Sequence, residues 1–154
     1  MSEFDIINET KYFSAEETLT FSLSPRKAFP DVDKEMQFHK NIKRAFIHNI
    51  TQNEFDKLIN EYGSEFETVY FFKIPKVNDL SELTNAPALE EFYLPQTNGL
   101  TRYTVKSLEP LKNCRNLKRV FIDCRSENKD FDPKDFDFLE IFNYRIDNTN
   151  NFSY

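Results

Sequence analysis

The chain has 154 residues, 30% charged and 39% hydrophobic, with 17 Phe, 7 Tyr and no Trp. That length suits one domain with a sizeable core, and the aromatic load argues against intrinsic disorder. A formal net charge of −6 opposes general nucleic-acid binding, and with only two glycines there is neither a GxxxxGKS/T nor a GxGxxG phosphate cradle.

No apolar run is long enough for a transmembrane helix. The opening "MSEFDIINETKYFS" is acidic and lacks the apolar stretch of a signal peptide, so the expected location is cytoplasmic unless a leader has been removed. Cys114 and Cys124 are too few for a disulfide scaffold and read as reduced, buried thiols. The Asn-, Lys- and Phe-rich composition fits a free-standing protein of an AT-rich bacterium.

Along the chain, residues 1–40 read as an N-terminal cap. Ser14 and Glu17 have capping-box spacing, and the alternating Leu19, Phe21 and Leu23 predict an extra strand. From residue 41 a pattern emerges with apolar residues at the first, fourth and sixth positions. It occurs as Ile42, Ala45, Ile47; Phe66, Val69, Phe71; Leu89, Phe92, Leu94; Leu117, Val120, Ile122; and Leu139, Phe142, Tyr144. The steps between starts are 24, 23, 28 and 22 residues, within the period of strand-and-return repeat units.

The intervening segments share spacings too. Leu80 and Leu83 precede Leu89 as Leu108 and Leu111 precede Leu117, with separations of 3 and 6 residues in both. In "TQNEFDKLINEYG", Thr51 and Glu54 form a predicted capping box, Phe55, Leu58, Ile59 and Tyr62 make one helical stripe, and Gly63 marks the stop. In "FDPKDFDFL", Asp132 before Pro133 predicts the start of the last return. The carboxylates Asp130, Asp132, Asp135 and Asp137 lack the Gly and terminal Glu of an EF-hand loop and read as a capped, solvated helix start.

With these residues the chain resembles the leucine-rich repeat family, whose units read L-x-x-L-x-L, over residues 41–147. The resemblance implies an α/β fold: a short leucine-rich-repeat solenoid with a parallel sheet on one face and helical or irregular returns on the other. It would form one domain, with a cap at 1–40, about five irregular repeats at 41–147 and a polar tail at 148–154. The family's buried Asn would fall on Ile50, Ile74, Thr97 and Arg125. No amide ladder between turns is therefore expected, and the corners should be irregular.

If the fourth and sixth positions face the core, the third, fifth and seventh face outward. Phe46, Tyr70, Tyr93 and Phe121 then line up across strands about 4.8 Å apart, with Phe72 beside them. Arg44, Glu91, Arg119 and Asp123 supply a charged border. Aromatic anchors with such a rim are the composition of a protein-binding surface. The competing reading, in which the aromatics only stabilise the sheet or lie beneath the N-terminal segment, stays open.

The expected function is a non-catalytic protein–protein interaction module using the exposed sheet face. The acidic charge favours a basic protein partner, and no nucleic acid, membrane, metal or cofactor is expected. A toxin-neutralising immunity protein is the sharper alternative. A Cys/His-dependent enzyme built on Cys124 and His48 is the other.

Overall fold

The computed structural model describes residues 18–20, 31–37, 39, 41–47, 50–71, 76–95 and 102–151. Each of the five spaced segments supplies one strand, because aromatic and β-branched residues alternate with polar ones there. The strands are β2 (Arg44–Ile47), β3 (Thr68–Phe71), β4 (Glu91–Leu94), β6 (Arg119–Ser126) and β7 (Ile141–Ile146). They pair in parallel with their neighbours and in sequence order. The architecture is α/β, with a mostly parallel open sheet and few helices.

The register follows the sequence spacing. Ala45, Val69, Phe92, Val120 and Phe142 lie opposite one another in turn, as do Phe46, Tyr70, Tyr93, Phe121 and Asn143. The core is continuous across these strands. Ile47, Val69, Phe71, Phe92, Leu94, Val120 and Ile122 are all buried, together with the return residues Leu80, Leu83, Leu89, Leu108, Leu111 and Leu117.

Among the described residues, three further strands join the sheet. β1 (Thr18–Thr20) adds in parallel to β2, as the alternation around Leu19 predicts; Ser14, Glu17, Phe21 and Leu23 lie outside the described residues. β5 (Tyr103–Val105) pairs with the second half of β6, end to end with β4, and accounts for the long 28-residue step. β8 (Thr149–Asn151) turns back antiparallel on β7 through Asp147, whose φ is 52°. The polar composition at 148–154 thus contains an ordered strand, held by backbone pairing rather than by apolar burial.

The returns are short: α1 (Val32–Met36), α2 (Gln52–Lys57), α3 (Glu109–Lys112) and three 3-10 turns. Two of them carry the same hydrogen-bonded staircase. The Leu83, Ala86 and Leu89 amides donate to the Leu80, Leu83 and Ala86 carbonyls, and the Leu111, Cys114 and Leu117 amides repeat this with Leu108, Leu111 and Cys114. Cys114 therefore stands where the preceding unit has Ala86, a small buried position.

At α2, the Thr51 side chain accepts from the Glu54 amide at 3.3 Å, as a cap. Glu54 departs from the capping box, because its carboxylate accepts from the Val32 amide at 2.9 Å and ties α1 to this return. The helix continues as a π-turn over Leu58–Tyr62, and Gly63 has φ −82°, so no left-handed stop occurs. A π-turn widens the spiral and brings residues about five apart towards one side. Lys57 and Tyr62 accordingly both reach Asp33 of α1, the tyrosine hydroxyl donating at 2.8 Å. The Lys57 hydrogen bond, with that of Tyr62, lowers the Asp33 pKa.

Amide side chains do bridge neighbouring turns, contrary to expectation, but from positions outside the family pattern. The Gln52 Oε1 accepts from the Asn78 and Asp79 amides at 2.9 and 3.0 Å, while its Nε2 donates to the Asp79 carbonyl at 2.9 Å. Asn85 donates to Asn60, and Asn116 to the Pro87 carbonyl, each across to the preceding turn. Gln52→Leu leaves two backbone donors without this acceptor and is expected to destabilise the fold by about 1–3 kcal/mol, measured by urea unfolding.

Candidate interaction face of the sheet

The outward residues meet as the register requires, but several of them are buried rather than exposed. Phe46 and Tyr70 stack at 5.5 Å, and Tyr70 and Tyr93 tilt together at 5.8 Å. Ring separations of this size are favourable beyond the area they bury. These three rings are not exposed: Phe46 is 7%, Tyr70 0% and Tyr93 2% accessible, forming a second apolar cluster with Phe121 packed against it. Arg44, expected on the border, is also buried. The physical reason visible among the described residues is that rings side by side on adjacent strands cover one another's faces, so the aromatic row forms an apolar cluster of its own.

The accessible part of the face lies at the third positions of β6 and β7, Arg119 and Ile141, whereas Asn143, opposite Phe121 in the fifth row, is buried. Phe121 is half-buried. Glu91 accepts from the Tyr93 hydroxyl at 2.9 Å and faces Arg119 at 3.5 Å, with the Arg119 side chain 38% exposed. Phe72 lies outside the described residues, as does His48.

Asp123, expected as a contact residue, is instead an internal anchor and only 5% accessible. Its Oδ1 accepts from Arg102 Nε and Arg145 Nε, both at 2.9 Å, and Arg145 adds a second bond to Oδ2. Arg102 also donates to the carbonyls of Cys124, Arg145 and Asp147 at 2.7, 2.8 and 2.6 Å. A buried carboxylate needs such paired, fully bonded cations, so this group holds the chain before β5 against β6 and the β7–β8 turn. The sequence pattern marks neither arginine as a site residue, although Arg145 occupies the seventh position of its unit, directly opposite Asp123.

Both cysteines are buried. Burial pushes the Cys114 thiol up to about 11 and the Cys124 thiol up to about 12. Among the described residues, no group of three or more His, Cys, Asp or Glu is placed to hold a metal ion. Asp132 caps the turn at Pro133–Phe136 by accepting from the Lys134 amide at 3.0 Å, as its position before proline predicts. No described helix is long and apolar enough to cross a membrane.

No protein-family model, curated protein or solved structure matches the chain.

Asp123→Ala strands two guanidinium groups and is expected to cost about 3–5 kcal/mol in urea unfolding, as for other broken buried pairs. The thiols give a separate test. Unfolded cysteine ionises near its ordinary pKa, about 8.5, whereas these thiols stay protonated to about 11 and 12, so their contribution is complete below the unfolded value and is lost as pH rises towards 12. A thiol reagent at neutral pH should label neither cysteine in the native protein and both in denaturant; rapid native labelling of Cys124 would contradict its buried placement.

Proposed function

We propose that this chain is a short, irregular solenoid of leucine-rich-repeat-like units. It serves as a non-catalytic protein-binding module through the later strands of its sheet. The matching rungs, the paired return staircases and the near-constant step support the repeat reading. Five units lacking the usual Asn position, with amide bridges from elsewhere, make an imperfect member of that kind.

The binding reading rests on one gradient. Along the row of third positions, Arg44 and Thr68 are buried, whereas the Arg119 side chain is 38% and Ile141 37% exposed. Glu91, Arg119 and Phe121 with Ile141 form the contact region, an apolar centre with a mixed-charge rim. Phe46, Tyr70 and Tyr93 support it from within. Deeply buried, protonated thiols favour a non-catalytic role over one that uses Cys124 as nucleophile. A toxin-neutralising role is the narrower form of this reading, and the net charge of −6 favours a basic partner for it.

Affinity capture with the tagged full chain tests the proposal. Arg119→Glu/Phe121→Ser is expected to lose a partner held by the wild type by at least about tenfold, with the circular dichroism spectrum unchanged. Identical capture by a folded variant removes this face from the reading.

A further inference from the structure

We infer that the last return and the start of β7, residues 127–141, form the docking surface for a basic protein surface, with Phe138 and Ile141 as apolar anchors. This rests on the protein-binding reading and names where the partner sits and what chemistry it carries.

The first observation is a pair of substitutions within the repeat pattern. Ile141 holds the third position of its unit, where the earlier units have Arg44, Thr68, Glu91 and Arg119. Phe138 lies immediately before the first position, where the earlier units have Asn41, Glu65, Ala88 and Asn116. At both places the last unit replaces polar or small residues with large apolar ones. Both remain in water: Phe138 is 46% and Ile141 37% exposed, and these are the exposed large hydrophobics among the described residues. Phe138 stacks on the core residue Phe136 at 6.3 Å but keeps nearly half of its surface in water, while Phe131, Phe136, Phe142 and Tyr144 pack ring against ring at 4.4–6.3 Å without Ile141.

The second observation is charge. Residues 127–140 carry six carboxylates against two lysines, a net −4 out of −6 for the whole chain. Lys129 is engaged with Asp147 at 3.0 Å. Asp130, Asp137 and Glu140 are exposed and form no ion pair among the described residues. Earlier units pair charges along this row, with Lys43 facing Glu67 at 3.4 Å and Lys118 facing Glu90 at 3.1 Å, but Glu140, beside Lys118 at the end of the row, forms no ion pair among the described residues.

Charge selects the occupant. A second copy of this surface would set carboxylates against carboxylates, and an anionic membrane would be repelled in the same way. A basic protein surface with an apolar side chain at its centre satisfies both features: the two anchors supply buried area, and the carboxylates supply steering and register.

The test uses the full chain, isotope-labelled, titrated with a synthetic basic peptide, Ac-KRFKKLRK-NH2. The expected amide shifts centre on residues 130–141, and binding weakens steeply as salt is raised. Asp130→Asn/Asp137→Asn/Glu140→Gln should weaken binding about fivefold or more, and Phe138→Ser/Ile141→Ser about tenfold. All five positions are exposed, so amide dispersion should confirm that both variants stay folded. Shifts centred on Glu61 and Glu65, or affinities unchanged in both variants, overturn the inference. A protein captured by wild type, lost by Arg119→Glu/Phe121→Ser and retained by both end variants also overturns it, while leaving the protein-binding reading intact.

Discussion

One backbone clamp repeats at the start of four successive strands. The Lys43 carbonyl accepts from the amides of Glu67 and Thr68 at 2.7 and 3.1 Å, and the Glu67, Glu90 and Lys118 carbonyls each accept the corresponding pair from the next strand. A shift by one residue would break both bonds and turn every core side chain outward. With the clamp in place, the fourth and sixth positions must meet in one layer and the fifth in the other. The core, the buried aromatic row and the accessible end of the sheet are all consequences of that register.

Electrostatics then divides the sheet into regions with different roles. Near the C-terminal ends of β6 and β7, a single carboxylate is held by two guanidinium groups, and the remaining donors of Arg102 are spent on carbonyls. Removing charges there leaves others unsatisfied in a poorly solvated place. The pairs between Lys43 and Glu67 or Lys118 and Glu90 sit in water and contribute little individually. The first group holds the chain together, whereas exposed charge is available to a partner.

The repeat spacing made the strands and their rungs legible, because apolar residues at fixed intervals have only one way to share a layer. The Leu80–Leu83–Leu89 and Leu108–Leu111–Leu117 offsets were legible for the same reason. β5 was not, since "TRYTVK" is short and lies inside one long step, and β8 was not, since its residues are polar and its order comes from backbone pairing. Burial of Phe46, Tyr70 and Tyr93 escaped a reading of alternation alone: alternation separates two faces without saying which of them meets water. Arg145 could have been found by extending the rungs to the seventh position. Arg102 lies in the long return between Leu94 and Leu108, outside the six-position pattern, and carries no such signal. Gln52 supports its neighbouring turn from the first residue of a helix, where no family pattern looks for an amide.

β6 is twice as long as β4 and pairs with β4, β5 and β7. Its first half continues the ladder begun at β1, and its second half receives the inserted strand. Most pairings join segments only about one unit apart in the chain, so ordering can spread from neighbour to neighbour with little loop-closure entropy at each step. β6 is where that one-dimensional growth meets a branch. Both branches must close on the same strand, which makes it the natural limit to how far the chain can be shortened from either end and still keep a continuous sheet.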